Sequence, residues 1–210
     1  MADITVKGSN VNYQMAEGRR KGHTVLMIHG ATGNSEGWSN QVQFLEEEHT
    51  PVTVNLPGRG GSDGPPIDND VDFREFIRAF SDALDLAPFV ICGYSMGGSI
   101  ALDFAFHYPD RLKGFIMVAS SPSWEFSDEM LKLYRENPQK AMERSMEEFG
   151  DMFSKHTSEH IKEQVLNQEE PAPVSTGAAD LLACATFHLD GDLGKIKVPA
   201  LVTCGDEDES

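Results

Sequence analysis

Two periods of apolar residues alternate along the chain, one of two residues and one near 3.6. Residues 2–15 read ADITVKGSNVNYQM, where Ile4 and Val6, then Val11, Tyr13 and Met15, fall on one face about a glycine turn, as in a β-hairpin. HTVLMIHG (23–30) is a continuous apolar run closed by glycine, which suits a strand buried on both faces of a mostly parallel sheet. Val42, Leu45 and the neighbouring Phe44 mark an amphipathic helix over 39–48, and PVTVNLPG (51–58) a further short strand ending in a turn. The pattern then repeats. Phe73, Phe76, Ile77, Phe80 and Leu84 stand at helical spacing within 71–86, followed by the strand PFVICG (88–93) and a helix over 96–107. DRLKGFIMVAS (110–120) and IKVPALVTCG (196–205) are two more candidates for buried strands.

Between those last two strands the composition changes. Residues 122–195 hold no strand-like run, but carry charged, helix-forming stretches such as SDEMLKLYRENPQKAMERSMEEFGDMF and SEHIKEQVLNQEE, broken by PAPVSTG. A structureless loop of that length is improbable, so the segment is expected to be a helical insertion over the sheet. The expected organisation is a core of residues 1–121 and 196–210 with a helical lid at 122–195. Met130, Leu131, Met142, Met146, Phe149, Met152 and Phe153 give the insertion an apolar side, read first as packing on the body and second as lining for a substrate.

Charge narrows the function classes. The 210 residues carry 34 acidic against 17 basic side chains, a formal net charge of −17 that repels nucleic acid, polyanionic substrates and acidic membrane surfaces. No apolar run approaches the roughly 20 residues of a membrane helix, and the start MADITVKGSN lacks the basic and apolar regions of a signal peptide, so a cytoplasmic protein is expected. Cys92, Cys184 and Cys204 form no CxxC and are expected to be reduced core residues. Cysteine and histidine spacing gives no zinc-like pattern.

Candidate chemistry centres on GYSMG (93–97), a match to G-x-S-x-G. That pattern belongs to a sharp strand-to-helix turn whose neighbours must lack side chains, and here a buried-type strand precedes it and a helix follows. Neither GxGxxG nor a P-loop is present, which leaves a phosphate-binding turn unsupported. A nucleophilic Ser95 needs N–H donors for a developing oxyanion, and MIHGATGNSEGW (27–38) brings the N–H of Ala31 toward that of Met96, the residue after Ser95. His29, at a strand end, reads as a hydrogen-bonded structural residue rather than a base.

HGATGNSEGW, NLPGRGGSDG, GYSMGG, HYPDRLKGFIMVASSP and VPALVTCGDEDES, in this order and spacing, resemble the α/β-hydrolase superfamily in its capped esterase and enol-lactonase branch. The resemblance implies an α/β fold: a predominantly parallel, doubly wound sheet with a helical cap after the sixth strand. It also implies a triad in the chain order serine, acid, histidine. It assigns Ser95 as nucleophile, the N–H groups of Ala31 and Met96 as oxyanion hole, and Asp208, in GDED (205–208), as the acid. Arg59 occupies a turn where relatives often have histidine and is read as structural.

The family's histidine follows an eighth strand, whereas this sequence stops at Ser210; a C-terminal strand and helix are therefore expected to be missing. His188 precedes the acid and makes a poor base. The implied activity is hydrolysis of a small or medium carboxylic ester or lactone, with no metal or organic cofactor and with that small molecule as partner. C–C bond hydrolases and haloperoxidase-like enzymes of the same fold are alternatives, as is a ligand-binding protein without catalysis.

Overall fold

In the computed structural model, which describes residues 1–15, 22–86, 88–151, 153–166, 172–191 and 193–208, the apolar runs pair into a seven-stranded sheet. The strands are β1 (Ala2–Val6), β2 (Ser9–Met15), β3 (Thr24–Ile28), β4 (Thr50–Val54), β5 (Phe89–Tyr94), β6 (Leu112–Val118) and β7 (Ala200–Thr203). They lie in the order β1-β2-β4-β3-β5-β6-β7. β1, β2 and β4 pair antiparallel, and β4, β3, β5, β6 and β7 pair parallel. This is the predominantly parallel α/β fold that the sequence predicts.

Alternation along the parallel strands divides the core in two. Leu26, Ile28, Ile91, Phe115 and Met117 face one side, where they meet the apolar faces of α2 (Asp70–Ala83) and α3 (Met96–His107). Val25, Met27 and Cys92 face the other, against Trp38 and Val42 at the start of α1 (Ser39–Leu45). Helices on both faces explain why these strands read as unbroken apolar runs. α2 begins where the Asn69 side chain accepts the Asp72 N–H at 2.9 Å, with Asp70 and Asp72 placed favourably at the positive helix end.

The segment between β6 and β7 is helical: α4 (Asp128–Glu136), α5 (Pro138–Asp151), α6 (Glu159–Leu166) and α7 (Val174–Cys184). Met130, Tyr134, Ala141, Met142 and Ala178 form a small core of their own between α4, α5 and α7. The end of α7 and the residues after it leave that cluster, and Ala183, Cys184, Phe187 and Leu189 are buried in the main core. Met130 and Met142 therefore pack the helices on one another, while Met146 stays 43% exposed; Met152 lies outside the described residues.

Three expectations need correction. The helix after β3 ends at Leu45, and only Val42 in it is buried; Phe44, two positions away and so on another face, is 77% exposed. β7, read as a buried strand, is the last strand among the described residues, paired with β6 on one side and exposed at all four residues, with Leu201 and Val202 at 57% and 63%, because no strand or helix among them covers it. Cys204, just past β7, shares that exposure, whereas Cys92 and Cys184 are buried free thiols. Burial pushes the Cys92 thiol up to about 12, so it is a core residue without nucleophilic character.

Phe104 of α3 is fully buried, with its ring centroid 5.9 Å from that of Phe89 and 5.2 Å from that of Tyr108. Phe104→Ala is expected to destabilise the fold by about 3–5 kcal/mol, read from the denaturant midpoint at unchanged m-value.

Candidate active site

β3 and β5 are neighbours, but their chain connections leave in opposite directions across the sheet, β3 toward β4 and β5 toward β6. Loops at the carboxyl ends of such strands diverge and leave a crevice. Ser95 sits there, between β5 and α3, with φ 51° and ψ −125°. A non-glycine residue in that conformation costs on the order of 1–3 kcal/mol and persists only where its surroundings impose it.

The surroundings do so by close contact. A Cβ on Gly93 would lie 1.9 Å from the Gly97 carbonyl oxygen, and one on Gly97 would lie 2.3 Å from the Ile28 carbonyl oxygen. Hydrogen bonds complete the turn: Ser95 N–H donates to Val118 O at 3.0 Å, Gly98 N–H to Ser95 O at 2.8 Å, and Ser120 Oγ to Ser95 O at 2.7 Å. Ser99 Oγ donates to Ser121 O at 2.7 Å and receives the Trp124 indole N–H at 2.8 Å. Hydroxyls after β6 thus stand where some relatives were expected to keep an acid.

The loop after β3 runs alongside. A Cβ on Gly30 would come within 3.2 Å of Ser95 Cβ, so the backbone leading into Ala31 passes beside the candidate nucleophile. Met96 is the first residue of α3, where a backbone N–H has no acceptor within the helix. The two candidate oxyanion donors therefore follow adjacent strands, β3 and β5.

His29 anchors this loop from below. It is buried, with Nδ1 2.8 Å from Gly30 O and Nε2 accepting the Leu56 N–H at 3.2 Å, a pairing that fixes the neutral Nδ1–H tautomer. Burial first, and the Arg59 charge second, push its pKa down to about 3. It is a structural link between the loops after β3 and β4 and cannot serve as a base near neutrality.

Asp208 lies in the turn after β7, its N–H donating to Gly205 O at 3.3 Å. β7 pairs with β6 at Thr203 and Val118, the residue whose carbonyl holds Ser95 N–H, so the acid turn and the elbow leave the same end of the sheet. They depart about 10 Å apart, two strand spacings. Burial and the Asp208 carboxylate together hold the Tyr94 hydroxyl above its usual value, which places Asp208 in the electrostatic surroundings of the elbow. The neighbouring Glu207 accepts from Ser154 Oγ and lies 3.7 Å from His156 Nε2, contacts from the helical segment.

Four other histidines stand away from the elbow turn. His23 and His49 lie at the starts of β3 and β4 with ring centroids 5.7 Å apart, and His107, at the end of α3, is 3.1 Å from Asp103. His188 is exposed and bridged to Ser123. Among the described residues no histidine is hydrogen-bonded to Ser95, and no group of three or more His, Cys, Asp and Glu side chains is placed to hold a metal ion. No helix among them is long and apolar enough to cross a membrane.

Sequence reasoning missed Asp180. It lies in the middle of α7, is completely buried, and grips Arg59 in a bidentate pair with both N···O distances 2.5 Å. Burial lifts its carboxyl above the ordinary range, and the Arg59 hydrogen bonds and charge pull it back. The available signal was a lone carboxylate among the apolar residues of GAADLLACA, because a charge is buried there only with a partner. Arg59 is thereby structural, as the sequence suggested.

A serine on a strained strand-to-helix elbow at a switch point, with the backbone of the β3 loop beside it, defines a class of α/β enzyme fold. Residues 23–152 match the family model described as alpha/beta hydrolase fold, and the chain belongs to that family. It is 26% identical over 201 residues to the pimeloyl-[acyl-carrier protein] methyl ester esterase of Nitrosomonas europaea, covering 89% of this chain and 78% of the relative. The 2-hydroxy-6-oxo-6-phenylhexa-2,4-dienoate hydrolase of Comamonas testosteroni is 25% identical over 219 residues, covering 90% and 72%. Among solved structures, the enol-lactonase from Burkholderia xenovorans LB400 superposes with a TM-score of 0.83 at 17% identity, covering 98% of this chain and 81% of the other.

Two measurements test this geometry. Gly97→Ala is expected to destabilise the fold by about 1–3 kcal/mol or more, because its Cβ meets main-chain oxygens that have no rotamer to escape into. His29 gives a pH signature. The native ring refuses a proton down to a pKa of about 3, whereas the unfolded ring binds one below about 6.5, so stability falls as pH drops through that window. Replacing it in His29→Gln is expected to flatten the plot of unfolding free energy against pH between 6 and 5 by about 1.4 kcal/mol per unit.

Proposed function

We propose that this chain is a serine hydrolase that cleaves a small or medium carboxylic ester or lactone through an acyl-enzyme. The observation that carries the reading is Ser95 itself, held at φ 51° with the backbone of the β3 loop against its Cβ. Such strain is kept where function needs a side chain presented at the tip of a turn. The esterase and lactonase names of the relatives agree with this chemistry.

In this reading Ser95 Oγ attacks the carbonyl carbon as its proton passes to a histidine. The N–H groups of Ala31 and Met96 hold the oxyanion, the alcohol leaves with that proton, and water then frees the acyl group. Asp208 is the carboxylate assigned to orient the histidine. Residues 122–195 act as a cap that sets substrate size, and its apolar side favours hydrophobic acyl or alcohol groups. No metal or organic cofactor enters the scheme, and the protein acts in the cytoplasm.

The test is hydrolysis of p-nitrophenyl butyrate by the full-length protein and by its Ser95→Ala variant. Loss of at least about 1,000-fold in kcat/KM in the variant is expected. Equal rates in the two proteins would overturn the assignment of Ser95. A second reading, a ligand-binding protein without turnover, is favoured by the lack of a histidine hydrogen-bonded to Ser95 among the described residues. Tight binding of short esters, recovered intact after incubation, would support it.

A further inference from the structure

The loop that carries Ala31 is held by the helical segment as well as by the sheet. Thr32, the next residue, has φ 62°, outside the region a β-branched side chain prefers. Both of its backbone groups bond to the segment between β6 and β7: its N–H donates to Asp180 Oδ2 at 2.9 Å, and its carbonyl accepts the Ala172 N–H at 3.1 Å. Side-chain packing adds a third contact, since a Cβ on Gly177 of α7 would lie 3.1 Å from Thr32 Cγ2. Asp180 is fixed in turn by Arg59, whose side chain is 2% exposed, and Thr176 Oγ1 donates to Gly58 O at 3.3 Å. One carboxylate thus has two tasks: it neutralises a buried guanidinium and accepts the N–H adjacent to the candidate oxyanion donor.

We infer that Asp180 is a positioning residue for the oxyanion hole, setting the direction of the Ala31 N–H through its hydrogen bond to Thr32 and so coupling the seating of α7 to catalysis. The inference rests on the serine-hydrolase reading above. The Ala31 N–H belongs to the Gly30–Ala31 peptide unit, whose carbonyl is held by His29 Nδ1 and the Gly33 N–H. This unit meets the unit carrying the Thr32 N–H at Ala31 Cα, so freeing the Thr32 N–H releases the Ala31 torsions that fix one unit against the other. A donor displaced by about 1 Å from the developing charge costs about 100-fold in rate. The ground-state ester gains little from that donor, and so the loss falls on kcat rather than KM.

Removing Arg59 or Asp180 alone strands a buried charge, which would unfold or loosen the protein whatever the mechanism. Two double variants avoid this. Arg59→Met/Asp180→Leu removes both charges and the acceptor for Thr32, while Arg59→Met/Asp180→Asn removes both charges and retains an amide oxygen as acceptor. Melting temperature, amide hydrogen exchange at Thr32, and kcat and KM for p-nitrophenyl butyrate are measured in each.

The leucine variant is expected to show Thr32 exchange accelerated at least about tenfold and kcat lowered about 100-fold, with KM within about twofold. The asparagine variant is expected to recover most of both losses. Equal kcat in the two variants, or Thr32 exchange unaltered in the leucine variant, would overturn the inference. A loss of kcat that follows melting temperature instead of Thr32 exchange would assign the pair a purely structural role. If Ser95→Ala is as active as the parent chain, the serine reading fails, and the Thr32 exchange rates alone decide whether Asp180 holds the loop.

Discussion

The constraint on which the candidate site depends is the contact between main chain and main chain at Gly93, Gly97 and the end of β3. α3 can start immediately after β5 only if its first turn lies almost on the carbonyls of Ile28 and His29, and any Cβ at Gly97 would occupy that space. The same contact leaves Ser95 with a positive φ and brings Gly30 against its Cβ. Backbone strain at one residue is offset by close packing and hydrogen bonds at five or so others around it. The Ser95 turn and the β3 loop are therefore one structural unit: movement of the loop cannot leave the turn unchanged.

A second layer of polar contacts ties this unit to the rest of the molecule. His29, kept neutral by burial and by the Arg59 charge, joins the loops after β3 and β4 through both ring nitrogens. Arg59 then reaches α7 through Asp180, which returns to the β3 loop at Thr32. A buried ion pair adds little net stability, because desolvation consumes most of its attraction. Its value lies in geometry, since two planar groups in bidentate register tolerate few relative positions. The helices between β6 and β7 combine a core of their own with this fixed attachment beside the elbow.

Much of this was legible in the sequence, for local reasons. Unbroken apolar runs such as TVLMI and FVICG name strands covered on both faces, and the spacing of Phe73, Phe76, Ile77 and Phe80 names the buried face of α2. G-x-S-x-G between a strand and a helix identifies the elbow because the glycine requirement is steric and short-range. The resemblance assigned Asp208, and the structure places Ala31, Met96 and Asp208 after the carboxyl ends of β3, β5 and β7, three parallel strands. Less legible was anything that depends on what covers an element. ALVT is apolar enough for an interior strand, yet β7 is left exposed among the described residues, and Phe44 follows an apolar pattern but faces solvent.

What the sequence determined by itself was the order of strands and helices, the elbow at Ser95 and the acidic surface, all of which depend on residues near one another in the chain. Only the tertiary structure decided that Arg59 and Asp180, 121 residues apart, would share a dry contact with the Thr32 N–H. Likewise only the fold assigned His29 two backbone partners and with them its neutral state. Burial and pairing are properties of what the fold brings together, and a buried charge acquires its meaning from a partner that sequence distance conceals.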